Sequence, residues 1–235
     1  MTINVEKCMV IYFGPKNLNH QYFLNSSTLK SAEVFKDLGI LVDKNLNFHE
    51  NLKFVTTKSF KLINMIFRIF HCNKPELYLK LYKIYILPII FYCFNTYFTN
   101  TRTFMNSIEK IQRYFTKRLY IRTHPNSPIP HSNERLKVFE LIPLESSYVR
   151  MDVLMLYKIL TNRALMFNFH PHLVYTNLLE LFCNLSSKLF HNSFYHRSLV
   201  FWKKYLSPHD IPLNDYQALR SFLYHNHSRF VMAAS

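Results

Sequence analysis

Residues Phe104 to Arg122 read FMNSIEKIQRYFTKRLYIR, and their spacing sets how the rest of the chain is read. Phe104, Ile108, Ile111, Phe115 and Leu119 recur at offsets of four, three, four and four, which on a helix stacks them into one apolar stripe. At about 3.6 residues per turn Lys110, Arg113 and Lys117 share the opposite face, with Tyr114 and Arg118 on its flank and Arg122 beyond the last turn. Such a helix docks its stripe on a core and presents ammonium and guanidinium groups outward. A solvated surface helix and a phosphate-contacting helix share that pattern, so the choice rests on the remainder of the chain.

That remainder is strongly basic. Against 14 Asp and Glu stand 29 Lys and Arg, a net charge of +15 over 235 residues, which self-repels in a compact monomer unless a polyanion neutralises it. Nucleic acid is the first partner this implies. Hydrophobic residues at 49% and aromatics at 17% supply material for a sizeable core, so the charge belongs to a folded chain. Gly14 and Gly39 are the only glycines, which excludes a P-loop, a dinucleotide fingerprint and a Gly-x-Ser-x-Gly elbow. Cys8, Cys72, Cys93 and Cys183 form no Cys-x-x-Cys pair, which argues against a zinc ribbon or a disulfide framework and for a reducing compartment. The pairs His170 and His172, His191 and His196, and His225 and His227 lack a Cys or carboxylate at ligand spacing, so no metal is assigned to them. The start, MTINVEKCMVIYFG, has no signal-peptide pattern, which reads as an intracellular chain, nuclear or cytoplasmic. Ile84 to Phe98 is the most apolar stretch, but it falls short of the ~20 residues of a membrane span and contains Pro88 and Asn95, so it reads as core.

In chain order, residues 3 to 13 end in a strand of about seven residues that stops at Gly14-Pro15. Gln21 to Leu24 and Val34 to Val42 read as further short strands, with Gly39 permitting a bulge or a close backbone approach. Tyr12, Phe13 and Tyr22 are aromatics on short strands, where core positions are the commoner use, which favours packing over base stacking. From Leu46 the period becomes helical. Leu52, Val55, Ser59, Leu62, Ile66 and Ile69 form a stripe, with Lys53, Lys58, Lys61 and Arg68 elsewhere on the wheel. Pro75 opens a helix that Pro88 kinks or splits. The loop 123–133, with Pro125, Pro128 and Pro130, is the clearest candidate boundary. Beyond it, Pro143-Leu144-Glu145 begins a helix through Val149, Val153, Leu156 and Leu160, residues 163–192 are His-rich with weak pattern, and a last helix lies near Tyr216 to Tyr224. The fold class is therefore mainly α with a small N-terminal antiparallel β element.

Several of these stretches together form a collinear series. Lys7-Cys8, Phe13-Gly14, Tyr22-x-Leu24-Asn25, Lys36-Asp37-Leu38-Gly39-Ile40 and Val42-Asp43 are followed by Leu81-Tyr82, Pro88-Ile89-Ile90, Tyr92, Ile108-Glu109, Gln112-Arg113 and Phe115-Thr116-Lys117-Arg118. Then come Glu134-Arg135-Leu136, Leu141, Pro143-Leu144-Glu145, Asp152, Tyr157-Lys158-Ile159-Leu160, Asn192-Ser193-Phe194, Arg197-Ser198 and Trp202. This series resembles the part of non-LTR (LINE-type) retrotransposon reverse transcriptases that follows the catalytic palm. The resemblance covers nearly the whole chain, although Phe91 stands where the family often has an acidic residue and Tyr97 where it has a tryptophan.

The resemblance implies a palm-edge, primer-grip-like β element over residues 1–45, a helical thumb-like bundle over 46–122, a linker loop at 123–133 and an α-helical extension over 134–235. It implies RNA or an RNA:DNA hybrid as partner, together with the remainder of the enzyme if that is encoded upstream. The basic helix then supplies the phosphate-contacting set Lys110, Arg113, Lys117, Arg118 and Arg122, with Lys58, Lys61 and Arg68 as secondary candidates. The family's polymerase centre holds two magnesium ions on a pair of adjacent aspartates and a third upstream. Asp37, Asp43, Asp152, Asp210 and Asp215 include no adjacent pair, so no catalytic or cofactor-binding residue is assigned and the chain alone is expected not to polymerise. The alternatives are a helical protein-interaction module and a decayed element copy with no retained role.

Overall fold

The stripe read from residues 104–122 is the spine of the main core. A computed structural model describes residues 4–14, 17–99, 101–161, 194, 197–198, 200–201 and 216–226. In it the helix α5 spans Arg102–Thr123, capped by the Thr101 hydroxyl, which accepts the Phe104 N–H at 3.4 Å. Phe104, Ile108, Ile111, Phe115 and Leu119 are all buried, as the spacing requires.

Ahead of α5 the described residues form six short strands. Strand β1 (Met9–Val10) pairs in parallel with β4 (Lys30–Ser31), and β2 (Phe23–Leu24) pairs antiparallel with β3 (Ser27–Thr28). Strands β5 (Val34–Asp37) and β6 (Ile40–Asp43) form an antiparallel hairpin. The molecule is thus mainly helical with a small, largely antiparallel N-terminal β element. The expected seven-residue strand shrinks to β1, with a turn of 3-10 helix at Val5–Lys7 ahead of it. Phe13 and Tyr22 correct the core reading. They are 48% and 52% exposed, since strands of two residues build no layer that would cover them. Gly39, at φ +90°, and Leu38, at φ 43°, make the hairpin turn, and the Tyr92 hydroxyl donates to Leu38 O at 2.7 Å.

Helix α1 runs from His49 to Ile69. The Asp43 carboxylate organises its entry by accepting the N–H groups of Asn45, Asn47 and Phe48. Asn51, on the first turn, accepts Leu41 N–H and so fixes the hairpin to the helix. The buried face of α1 is Asn51, Val55, Ser59, Ile63, Ile66 and Phe67. It is rotated slightly from the expected stripe: Ile69 is exposed, and Ile63 and Phe67 take its place inside.

Helix α2 (Pro75–Leu81) has its proline in the first turn and continues through a π turn, Tyr82–Ile86, into α3 (Leu87–Phe91). Pro88 therefore does not split the helix. The Leu87 N–H donates to Tyr82 O, five residues back, and Pro88, with no N–H to give, follows this widened turn directly. The chain breaks instead at Tyr92 and Cys93, the latter at φ 49°, before the single turn α4 (Phe94–Tyr97). Ile86, Ile90, Phe94, Tyr97 and Phe98 are buried, and no helix among the described residues is long and apolar enough to cross a membrane.

Aromatic rings knit these helices together. Phe67 stacks on Tyr78 at 4.8 Å and tilts against Phe115, which stacks on Tyr82 at 4.3 Å, so one ladder crosses α1, α2, the π turn and α5. Beyond the 123–133 loop, α6 (Ser132–Val138) returns to α5 through Arg135, whose guanidinium donates to Thr116, Pro130 O and Arg113 O. Helix α7 (Leu144–Thr161) contributes Leu144 and Tyr148 to the main core. Its next turns, Val153, Leu156 and Tyr157, build a second core with Phe201 and with Leu219 and Leu223 of α8 (Tyr216–His225). His170, His172, His191, His196, His227, Asn192, Ser193, Trp202, Asp210, Asp215 and residues 163–192 lie outside the described residues.

A buried ion pair joins the two cores. Arg197 donates from Nε to Asp152 Oδ2 at 2.6 Å and from Nη2 to Oδ1 at 3.2 Å. It donates further to Phe98 O at 2.9 Å and Asn95 O at 3.0 Å, and the Asn95 amide donates to Asp152 Oδ1 at 2.7 Å. Asp152→Ala leaves this guanidinium buried without its counter-ion. The expected loss is about 3–5 kcal/mol of unfolding free energy in urea denaturation, and a loss below about 1 kcal/mol would show that the pair does not hold the cores together.

Candidate nucleic-acid interface

Charge at neutral pH must either find a partner or face water, and α5 separates its charges by that rule. Lys110, Arg113 and Lys117 are exposed on the side away from the stripe. Glu109, the only carboxylate on α5, turns inward and accepts the Glu145 N–H at 3.0 Å, which caps the start of α7 from a neighbouring helix. Burial pushes the Glu109 carboxyl upward, while the backbone N–H of Glu145, Arg113 and the backbone N–H of Leu144 pull it back. The acid that would dilute the basic face is thus spent inside.

Helices α1 and α5 pack side by side and run parallel. Phe60 meets Tyr114 edge-on at 5.2 Å, Asn64 Oδ1 accepts the Tyr114 hydroxyl at 2.7 Å, and Phe67 meets Phe115, so position advances along both helices together. The same packing takes up two of the sequence candidates. The Arg118 guanidinium donates to Asn64 and Tyr114 and lies over the Phe67 ring at 4.8 Å. Arg122 donates to Phe70 O at 3.2 Å and Phe67 O at 3.3 Å, the carbonyls that end α1. It therefore places a cation at the negative end of that helix. Both arginines are half-buried and serve the α1–α5 contact.

The outward-facing set is then Lys110, Arg113 and Lys117 on α5 with Lys53, Lys58, Lys61 and Arg68 on α1, all exposed. Helical spacing puts Lys61 and Arg68 on the same side of α1 as Asn64, and Lys110 and Lys117 on the same side of α5 as Tyr114, so these four flank one seam. Among the described residues the ion pairs are Lys44–Glu33 and Arg197–Asp152, and neither involves these cations. An array of this kind has the chemistry to neutralise a phosphate backbone without reading bases.

Sequence spacing missed Phe54. It sits on the polar side of the α1 wheel between Lys53 and Lys58, is 38% exposed, and has the Nζ atoms of Lys36 and Lys58 over its ring at 5.3 and 5.8 Å. A large apolar residue off the buried stripe was the available signal.

The magnesium pair implied by the polymerase resemblance finds no fit among the described aspartates. Asp43 is occupied by three backbone N–H groups and Asp152 by Arg197 and Asn95. Asp37 stands on the β5–β6 hairpin opposite Ile40.

Known proteins add one likeness. A curated Caenorhabditis elegans protein, uncharacterized protein B0403.1, is 30% identical over 86 residues, which is 37% of this chain and 43% of that protein. The chain thus spans less than half the length of the curated relative it matches. No protein-family model and no solved structure matches the chain.

Two measurements separate packing cations from outward ones. Arg122→Ala is expected to lower stability by about 1–2 kcal/mol through the lost α1 terminus contacts, and Lys117→Ala to stay within about 0.5 kcal/mol, in thermal melts. Glu109 gives a pH signature. Its folded carboxyl titrates above the ordinary value, so its contribution to stability is fully present below the unfolded pKa, about 4.3, and falls as pH rises through the folded one. Glu109→Gln keeps an acceptor oxygen and removes the buried charge. It is expected to match or exceed the parent at pH 7 and to lose that advantage toward pH 4 in denaturation series.

Proposed function

We propose that this chain is the thumb and helical extension of a LINE-type reverse transcriptase and that its α1–α5 face holds the sugar-phosphate backbone of RNA or an RNA:DNA hybrid. One observation carries the reading: two parallel helices present seven Lys and Arg side chains outward, none in an ion pair among the described residues, while the one acid of α5 is turned inward. The collinear series quoted from the sequence supports the family part of the proposal. The face recognises backbone rather than bases, so binding is sequence-tolerant. Polymerisation belongs to a palm that carries the family's adjacent aspartates, and this chain supplies grip.

A second reading is a helical module that docks on another protein surface. Leu38 is 82% exposed at the hairpin tip beside Tyr92, which is 53% exposed, and Ile84 and Tyr85 are exposed on the π turn. Apolar surface of that kind drives association that salt does not weaken.

Equilibrium binding to an RNA:DNA hybrid over a salt series tests the first reading. Each phosphate contact lowers log affinity by about 0.7 to 0.9 per decade of salt. The triple variant Lys110→Glu, Arg113→Glu, Lys117→Glu, shown folded by circular dichroism, is expected to bind far more weakly and with a slope smaller by about two to three. Unchanged affinity and slope would remove the assigned role, and salt-insensitive self-association of the parent would favour the docking module.

A further inference from the structure

A separate feature lies at the junction of the hairpin and α1. A cleft of about 430 Å³ is lined by Leu41, Glu50, Lys53, Phe54, Thr57, Lys58 and Lys61, within the size range of ~300–1,000 Å³ in which small-molecule and cofactor sites fall. Its walls are fixed. Asn51 holds Leu41 N–H to the first turn of α1, and β5–β6 pairing sets Lys36 opposite Leu41, which brings the Lys36 ammonium over Phe54. An exposed phenyl ring thereby has two ammonium groups over it, Lys36 and Lys58, with Lys53 and Lys61 also lining the cleft, and none of these four lysines is in an ion pair among the described residues.

Resting on the backbone-gripping reading above, we propose that this cleft is a subsite for one unpaired nucleotide of a single strand, its base stacked on Phe54 and its flanking phosphates on Lys58 and Lys61. The occupant has to supply two things together: a flat polarisable face for the ring and anions on either side of it. A nucleic-acid strand repeats that combination at every residue, and stacking on an aromatic ring is indifferent to base identity. The ammonium groups that rest over the bare ring, 5.3 and 5.8 Å from its centre, transfer to phosphates when the base arrives. Glu50, one helical turn before Phe54, repels phosphate from its end of the cleft. The strand's anions are confined to the Lys58–Lys61 end, and sugar hydroxyls or base amino groups face Glu50.

The test uses the full chain and a single-stranded RNA oligonucleotide carrying one 2-aminopurine, whose fluorescence is quenched by stacking. The parent is expected to bind and quench. Phe54→Leu keeps an apolar side chain on the helix and is expected to lose the quenching and about ten-fold in single-strand affinity. Its salt slope and its affinity for an RNA:DNA hybrid are expected to stay unchanged, and Phe54→Tyr is expected to restore the quenching. If Phe54→Leu binds and quenches like the parent, the subsite is overturned while the α5 face stands. A parent that binds hybrid with a steep salt slope but does not bind the single strand also overturns the subsite alone. A parent that binds neither overturns both.

Discussion

A guanidinium out of water needs a counter-ion and partners for its N–H groups, and Arg197 satisfies that need with groups drawn from widely separated parts of the chain. Asp152 lies on α7, while Asn95 and Phe98 lie in and after α4. The planar fork of Arg reaches carboxylate and carbonyls at once, where a lysine would offer a single point of charge. The Phe98 ring, 4.7 Å from the guanidinium carbon, also stacks on Tyr148 of the main core. One charged group thus reports to both hydrophobic clusters, and the end of α4, the middle of α7 and the helical residues around Arg197 are placed relative to one another by it. The carboxyl of Asp152 is pushed up by burial, and Arg197 and Asn95 draw it down again.

The basic face depends on this arrangement indirectly. Because α7 is held, Glu109 has an N-terminus to cap, and because Glu109 faces inward, the charges α5 exposes to solvent are all cationic. The parallel packing with α1 is secured by the Asn64, Tyr114 and Arg118 cluster and by Arg122 at the end of α1. Positive charge is therefore used in two ways on one helix. Some of it closes the helix pair, and the rest faces solvent.

Periodicity exposed the parts of this structure that obey one period. The α5 stripe, the α1 helix, the helix from Pro143 and the last helix near Tyr216 were readable because 3.6-residue spacing is a property of the helix itself. The short strands were readable only as a β region. A two-residue parallel pairing such as β1 with β4 joins positions far apart in sequence and leaves no local pattern. Side-chain destination was the least legible. Lys117 and Arg118 are adjacent and both cationic, yet one faces water and the other lies over Phe67, a difference set by where Asn64 sits on another helix. Arg122 was readable as basic and terminal, but its partners are the carbonyls of α1. The first core also takes in Phe139, Leu144 and Tyr148 from beyond the 123–133 loop, a continuity that loop composition does not reveal.

The π turn at Tyr82–Ile86 solves a problem of angular phase. Tyr78, Tyr82, Ile86 and Ile90 are spaced four apart and are all fully buried. In an unbroken α-helix each step of four overshoots a full turn by roughly 40°, so the last of these would sit about 120° around from the first and face outward. A turn that closes five residues back unwinds the helix and returns the later positions to the line of the earlier ones. The residue gained at that turn is what allows one face of the α2–α3 rod to stay in register with the core from Tyr78 to Ile90. Shortening the turn by one residue would rotate everything after it, Pro88 and the Tyr92 clasp on the hairpin included, away from its partners.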